Sequence, residues 1–409
     1  MWESSRENRV EIKMQEAYKD KQVEAAIQEA HKENQSEVAM QEAYKENQSE
    51  AAMQEAYKEN QAEAAIHETY KENRAAEQDL ALTPVYQEIE TRRLEELYLR
   101  DPFLFPDRER GWYFLYGTNM DTCDGAANLD PFFETWISRD LQTFQGPYLV
   151  FRPEKGFWGV KHYWAPEVHA YRGAYYMFAT FKGGIGEDRG TAVLKAERPE
   201  GPFREHSKGH VTLKGHECLD GTFYVDSDGK PWVVFCHEWT ELFYGKIKAL
   251  PLKEDLTGVL DVDPIVIVDT ETDSLPWIRL MHDPRVRKKG YLTDAPYFHR
   301  LPGGALLMMW SSYTLDAAPD SAGEDDGGYV IAGCISRSGK MEGPWEHIPE
   351  LLLDHNAGHS ALFYDLEGNL KLISHCNDTK HGQESPIILD VREKQDGIQI
   401  IWRQGEDEK

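Results

Sequence analysis

The segment LDGTFYVDSDGKPWVVF, residues 219–235, carries the pattern on which the fold prediction depends. Two runs rich in aromatic and β-branched residues, Thr222–Val225 and Pro231–Phe235, flank the turn sequence Asp226–Gly229. Such runs are typical of β-strands, and the glycine in the turn can take the positive φ that a tight hairpin requires. The segment therefore predicts a strand, a turn and a second, antiparallel strand.

Four further segments repeat this hairpin pattern, at intervals of about 65 residues. Aligned with Asp220 of the quoted segment, their first strands begin at Asp101, Glu167, Asp294 and His359. Each hairpin is followed by enough chain for two more strands, as in one blade of a β-propeller. We therefore predict that residues 85–409 form an all-β, five-bladed β-propeller.

The first strand of a propeller blade is innermost, and all the first strands start at the same rim. The side chains at these starts should converge on the axis, and they are Asp101, Glu167, Asp220, Asp294 and His359. Carboxylates crowded into one pocket repel each other, which raises the pKa of at least one of them while another stays ionised. The predicted cluster is suited to combined acid and base chemistry.

Residues 1–84 have a different composition, dominated by Ala, Glu, Gln and Lys. A thirteen-residue unit that begins with MQEAYK at residues 14–19 recurs from residues 27, 40, 53 and 66. These residue types favour helix. Thirteen residues at about 100° each overshoot three turns by about 220°, so no lasting apolar stripe forms and a long regular coiled coil is not expected. We predict a helical or partly disordered extension, which is either an arm for self-association or docking or a solvated segment without chemistry.

The charge of the chain disfavours several kinds of partner. Its 45 Lys and Arg stand against 72 Asp and Glu, a formal net charge of -27, which would repel nucleic acid and anionic membrane surfaces. No stretch is apolar over the length of a membrane span, and the start is charged where a secretory signal would be apolar, so a cytoplasmic location is expected. The five cysteines are scattered and form no C-x-x-C pair, which argues against a disulfide framework.

Five motifs, in order and at blade spacing, carry a resemblance to a known family. They are RDPF (100–103), WAPEVH (164–169), DGTFYVDSDG (220–229), TDAPYF (293–298) and GHSALF (358–363). Over essentially all of residues 85–409 the chain resembles glycoside hydrolase family 43. The resemblance implies a five-bladed propeller and an inverting O-glycosidase that requires no cofactor. Its substrates would be plant-type saccharides: α-L-arabinofuranosides, β-xylosides or, in some branches, galactans.

The same resemblance implies roles for individual carboxylates. Asp101 matches the general base, and Asp220 matches the acid that raises the pKa of the proton donor and orients it. The proton donor stays open between two residues. The family usually has a glutamate where this chain has Asp294, which is one methylene shorter, whereas Glu238 follows a strand that returns to the same rim and overshoots into the pocket mouth. We favour Glu238 because of its reach, with Asp294 as the alternative.

Further residues beside the motifs are predicted to bind sugar, because aromatic rings stack on sugar C–H faces and polar side chains bond to hydroxyls. They are Arg100, Trp164, Glu167, His169, His237, Trp239 and Trp310. His359 stands where many family members hold an axial ion or a water cluster, so it is either a ligand of an axial Ca²⁺ or a packed, hydrogen-bonded histidine. Two alternative functions remain: a catalytically impaired, lectin-like carbohydrate-binding propeller, and a galactan-acting member of the family.

Overall fold

The computed structural model describes residues 80–86, 88–124, 131–283, 288–314, 328–378 and 384–402. The chain divides after Leu80, and all the described strands lie in the unit Ala81–Lys409. The thirteen-residue repeats lie outside the described residues, and so do residues 1–79 of the predicted helical extension and its predicted self-association. Within the described part of the chain, no helix has the length and apolar character needed to cross a membrane.

The described strands form five antiparallel sheets of four or five strands, which follow one another along the chain, and one two-stranded hairpin. Blade 1 contains β1 (Glu90–Arg93), β2 (Arg100–Asp107), β3 (Trp112–Thr118), β4 (Phe133–Ser138) and β5 (Thr143–Phe151), with a 3-10 turn at Leu94–Glu96. Blade 2 contains β6 (Lys161–Tyr171), β7 (Ala174–Lys182), β8 (Arg189–Ala196) and β9 (Arg204–Glu205). Blade 3 contains β10 (Cys218–Val225), β11 (Pro231–His237), β12 (Lys246–Pro251) and β13 (Ile265–Asp269), and the short helix α1 (Trp239–Leu242) connects β11 to β12.

A separate hairpin of β14 (Met281–Asp283) and β15 (Lys288–Gly290) precedes blade 4. Blade 4 contains β16 (Asp294–Arg300), β17 (Leu306–Tyr313), β18 (Tyr329–Ser336) and β19 (Trp345–His347). Blade 5 contains β20 (Ala357–Tyr364), β21 (Leu370–Cys376), β22 (Ser385–Lys394) and β23 (Gly397–Ile401).

The five sheets close into a ring around the inner strands β2, β6, β10, β16 and β20. β2 packs against β6 on one side and against β20 on the other, although blades 1 and 5 share no strand. The junction between them is made by side chains: Arg100 of blade 1 forms ion pairs with Asp378 (2.8 Å) and Glu384 (2.9 Å) of blade 5. The predicted five-bladed β-propeller is confirmed.

The apolar core lies between neighbouring blades. Between blades 3 and 4, for example, Trp232 and Val234 pack in one cluster with Met308 and Trp310. Trp310 is 0% exposed, so its predicted role in sugar binding is wrong. Side chains alternate along β17, and the side chain at position 310 faces blade 3 instead of the rim.

Each inner strand has a β-bulge near its start, and the bulge decides which side chain faces the axis. The pairing register shifts at equivalent places in all five blades. The residues with positive φ there are Asp101 (51°), Ala165 (45°), Asp220 (51°), Ala295 (53°) and His359 (52°). The prediction that Glu167 and Asp294 occupy this position is wrong. The bulge position holds an alanine in blades 2 and 4, with Glu167 two residues after it and Asp294 one residue before it.

Candidate active site

The backbone N–H of every bulge residue donates a hydrogen bond to a side chain of the preceding blade, with blade 5 preceding blade 1. The acceptors are His375 Nδ1 for Asp101 (3.2 Å), Thr118 Oγ1 for Ala165 (2.8 Å), Thr180 Oγ1 for Asp220 (2.9 Å), Asp220 Oδ2 for Ala295 (3.3 Å) and Ser311 Oγ for His359 (2.9 Å). A left-handed conformation costs a non-glycine residue about 1–2 kcal/mol, so these bonds and the flanking ladders must hold it. They fix the directions in which the axial side chains point.

Asp101 is an ionised carboxylate held from two sides. Thr118 Oγ1 donates a hydrogen bond to its Oδ2 (2.6 Å), and His359 Nδ1 lies 3.1 Å from its Oδ1. Burial by itself would raise the pKa of Asp101, but the positive charge and hydrogen bond of His359, with the charge of Arg100, hold it well below its usual range. Asp101 therefore stays ionised at neutral pH.

His359 is the cation that makes this possible. Its Nδ1 also lies 3.8 Å from Asp220 Oδ2, so the imidazole lies between two carboxylates. Burial opposes its protonation, but attraction to Asp101 and Asp220 raises the pKa of His359 to about 9. At neutral pH the ring is an imidazolium, and its Nδ1–H is a donor.

Asp220 behaves differently from Asp101, although both occupy the bulge position. Burial raises the pKa of Asp220 to about 7, and the charges of Asp101 and Glu238 act in the same direction, while His359 opposes them. The negative charges of Asp101 and Glu238 therefore both disfavour ionisation of the Asp220 carboxyl. It changes its protonation state close to neutral pH.

The two candidate proton donors lie on the Asp220 side of the cluster. Asp294 accepts a hydrogen bond from the hydroxyl of Tyr329 (3.1 Å), and burial together with the charges of Asp220 and Glu238 raises its pKa well above the usual range. Glu238 is buried, with Arg189 Nη1 2.8 Å from its Oε2. Burial raises the pKa of Glu238, and the charge of Arg189 partly offsets that rise. Both carboxyls can hold a proton while Asp101 is ionised.

Three of the predicted sugar-binding residues have other partners close to the axis. Glu167 lies two residues beyond its bulge, where Thr222 Oγ1 donates to it (2.7 Å) and His169 Nε2 lies 3.0 Å away. The ring of His169 packs against Phe103. Arg100 makes the ion pairs that join blades 1 and 5. Glu167 and His169 therefore bind each other outside the group formed by Asp101, Asp220, Asp294 and Glu238, whereas Arg100 acts on that group through its charge beside Asp101.

The predicted residues at the rim fall into two groups. Trp164 stacks on His162, with ring centroids 4.0 Å apart, and Arg189 lies over its ring, so it borders the cation that holds Glu238. His237 is buried, with Glu241 3.1 Å and Lys248 2.9 Å from its ring nitrogens. Trp239 is buried at the start of α1. Trp164 therefore lies beside the site, whereas His237 and Trp239 are buried at the end of β11 and the start of α1.

Sequence reasoning missed several residues that build the site: Thr118, Thr180, Arg189, Ser311, Tyr329 and His375. Four of them, Thr118, Thr180, Ser311 and His375, lie within the last three residues of the second strand of a blade, in the sequences YGT, FAT, WSS and SHC. His375 is a neutral acceptor at Nδ1 for the Asp101 N–H, because its Nε2 donates to Asp378 (3.1 Å) and burial lowers its pKa. The recurrence of a hydroxyl or histidine side chain near the end of these hairpins was the sequence signal that could have identified the acceptors of the bulge N–H groups.

The position of His359 bears on the predicted axial ion. Its Nδ1 is engaged by carboxylates in the protonated state, and a metal ligand must be deprotonated. Among the described residues, the side chains close enough together to hold a metal ion are instead His216, His237 and Glu241. The donor set around His359 does not fit an ion bound through Nδ1, and an axial Ca²⁺ held largely by water stays a prediction.

Comparison with known proteins identifies the family of the chain. The family model described as glycosyl hydrolases family 43 matches residues 96–398. The chain belongs to this family. An endo-arabinase from Bacteroides thetaiotaomicron VPI-5482 is 34% identical in sequence, and its structure aligns with a TM-score of 0.64 over 77% of this chain and 99% of that one. The glycoside hydrolase resemblance is confirmed, and this family membership makes the chain a glycosidase whose substrate is a saccharide.

Two further proteins resemble this family-43 member at lower sequence identity. A thermostable family-43 glycoside hydrolase, 20% identical, shares the fold with a TM-score of 0.61 over 81% of this chain and 98% of that one. Xylosidase/arabinosidase 43A of Humicola insolens is 26% identical over 162 residues. That match covers 36% of this chain and 46% of the curated relative, less than half of its length.

Proposed function

We propose that this family-43 glycosidase hydrolyses α-L-arabinofuranosides or β-xylosides of short plant oligosaccharides with inversion at the anomeric carbon. The observation that carries the proposal is the split protonation of the axial carboxyls. Asp101 is held ionised, whereas Asp220, Asp294 and Glu238 are shifted toward the protonated form. The choice of sugar rests on the names of the endo-arabinase and xylosidase/arabinosidase relatives.

Asp101 acts as the general base. It takes a proton from a water molecule as the water oxygen attacks the anomeric carbon on the face opposite the leaving group. Thr118 and His359 donate to its two oxygens and orient the carboxylate. Its low pKa makes Asp101 a weak base. Its contribution therefore comes from its position and from stabilising the positive charge that develops on the attacking water, and not from a high proton affinity.

Glu238 acts as the general acid that protonates the leaving-group oxygen. A proton donor works best when its pKa is near the operating pH. Burial raises the pKa of Glu238, and the charge of Arg189 limits that rise. The pKa of Glu238 is therefore shifted less than that of Asp294, and in the opposite direction to that of Asp101. Asp294, raised much further and one methylene shorter, would keep its proton too firmly and hold it farther from the bond.

Asp220 and His359 link the two halves of the reaction. Asp220 lies within the electrostatic reach of Glu238 and of Asp294, and it shares the His359 imidazolium with Asp101. When Glu238 gives up its proton, the negative charge that appears on it can be relieved if Asp220 is protonated.

A substrate panel with active-site variants tests this function. Purified protein is assayed on arabinan, xylo-oligosaccharides and galactan, and Asp101→Asn is assayed in parallel for turnover and for sugar binding. The proposal expects release of arabinose or xylose by the native protein, and a variant that binds but does not turn over. Binding without turnover by the native protein would support the lectin-like alternative, and cleavage of galactan alone would move the enzyme to another substrate class.

A further inference from the structure

The connection between β11 and β12 presents aromatic side chains beside Glu238. It begins at Glu238, continues through α1 and ends at Gly245. Phe243 is 50% exposed and Tyr244 is 37% exposed, which is unusual for residues of this size in a propeller whose other aromatics are mostly buried. Tyr291 lies next to them and is half-buried, with its ring centroid 6.0 Å from that of Tyr244.

The backbone holds these rings in a strained arrangement. Phe243 has a φ of 68°, in the left-handed region that favours glycine. Its N–H donates to Trp239 O (2.7 Å), and its own carbonyl accepts from the N–H of Tyr291 (3.0 Å). A Cβ at Gly290 would clash with that carbonyl oxygen, so the close packing of the β14–β15 hairpin against the turn at Phe243 requires glycine at position 290. Glycine at position 243 would adopt this φ with less strain. The exposed phenylalanine ring at a position whose backbone favours glycine points to a role for the ring in binding.

The location of the strained turn suggests what the ring is for. Asp220 lies at the axial start of β10 and Glu238 follows the end of the neighbouring strand β11. Phe243 is five residues farther along, on the connection that leads outward to β12 in the sheet order β10-β11-β12-β13. The order from the axis outward is therefore Asp220, Glu238 and then the aromatic side chains. A proton donor contacts the leaving-group oxygen, so the sugar attached through that oxygen extends toward these rings.

We propose that Phe243, Tyr244 and Tyr291 form an aromatic platform that binds the leaving-group portion of an oligosaccharide substrate. Rings of this kind stack on the C–H faces of a sugar while the tyrosine hydroxyls remain available to its polar edge. The platform favours substrates with at least one sugar beyond the cleaved bond over substrates with a minimal leaving group. This inference deepens the proposed function and rests on it.

Phe243→Gly is a variant designed to keep the fold. Glycine takes the left-handed conformation without the Cβ penalty, so the melting temperature should stay within about 2 °C of the native value. Tyr244→Ala tests a second ring of the platform. Tyr364→Ala is the matched control, because Tyr364 is a 41% exposed tyrosine at the other end of inner strand β20, far from the rim where the strand starts.

The readout compares two substrates with the same sugar at the cleaved position. One is a trisaccharide, and the other is a glycosyl fluoride, whose leaving group is a single atom that cannot reach the platform. We expect Phe243→Gly and Tyr244→Ala to lower kcat/KM for the trisaccharide about five- to tenfold, mainly through KM, and to change the fluoride reaction by less than about twofold. Tyr364→Ala should change neither.

The outcomes separate the platform from the proposed function. Native turnover of both substrates, with trisaccharide kinetics unchanged in Phe243→Gly and Tyr244→Ala, overturns the platform and leaves the glycosidase intact. An equal fall on trisaccharide and fluoride also overturns it, because the rings would then act on the reaction centre and not on the leaving group. A native protein that hydrolyses neither substrate removes the proposed function and the platform together.

Discussion

Replacing Glu238 by glutamine removes a proton donor while keeping the shape of the side chain. General acid catalysis contributes about 10²- to 10⁴-fold, which corresponds to roughly 3–5.5 kcal/mol of transition-state stabilisation. We therefore expect Glu238→Gln to lower kcat/KM for a natural disaccharide by that factor. Glu238→Asp, which withdraws the carboxyl by about one bond length, should lose about 10²-fold.

The assay uses leaving groups that differ in their need for a proton. A sugar alkoxide must be protonated as it departs, whereas a dinitrophenolate departs unaided. Glu238→Gln should therefore hydrolyse the dinitrophenyl glycoside within about tenfold of the native rate, although its disaccharide activity is largely lost. Since Arg189 loses its partner in this variant, Glu217→Gln is the control: Glu217 lies 3.4 Å from the same guanidinium and is not a donor candidate.

Asp294→Asn completes the comparison. If Asp294 acts through electrostatics, this variant should depress both substrates to a similar degree. A strong dependence on the leaving group in Asp294→Asn, together with none in Glu238→Gln, would refute the assignment of the donor and transfer the role to Asp294. If Glu217→Gln reproduces the behaviour of Glu238→Gln, the effect comes from the charges that surround Glu238, namely Arg189 and Glu217, and the reasoning about the proton is wrong.

Three further variants probe the electrostatics of the axial cluster and the closure of the ring. Asp101→Asn should lower kcat by at least about 10³-fold for every leaving group, measured by steady-state kinetics, while calorimetry still detects sugar binding; a variant that retains activity contradicts the assignment of the base. Asp220 has a folded-state pKa of about 7, above its unfolded value, so its ionisation costs stability as pH rises from about 4 to 7. Asp220→Asn should therefore raise the melting temperature at pH 8 by several degrees and leave it nearly unchanged at pH 4, and equal shifts at both pH values would contradict the pKa argument. Arg100→Gln leaves the buried carboxylates of Asp378 and Glu384 without their cation, and thermal unfolding should show a loss of about 3–5 kcal/mol; an unchanged melting curve would mean that blades 1 and 5 are held by other contacts.

The sequence was informative where local chemistry repeats. Hairpin turns and strand composition recur five times, so the number of blades and the innermost strands could be predicted before any coordinates were known. The convergence of Asp101, Asp220 and His359 follows from that topology, because all three occupy the same position of their blades. Glu238 was placed near this cluster by the direction of its strand, and the structure brings it within the electrostatic reach of Asp220.

The misplaced residues have separate physical causes. The bulge position holds an alanine in blades 2 and 4, so an alignment guided by acidic side chains selected Glu167 and Asp294 instead of Ala165 and Ala295. Trp310 was assigned to the rim because it lies near a motif, whereas strand alternation turns it into the core between blades. Arg100 illustrates a different limit. Its partners Asp378 and Glu384 come from the opposite end of the chain, and only ring closure brings them together.

The stereochemistry of the product tests the central claim most directly. Asp101 and the protonated carboxyls are proposed to act from opposite sides of the anomeric carbon, which leaves room for water to attack in a single displacement. Proton NMR of the first minutes of hydrolysis, on the substrate that the panel identifies, reports which anomer is released before mutarotation. The account predicts the inverted anomer as the initial product. Initial release of the retained anomer would require a covalent intermediate and would contradict it.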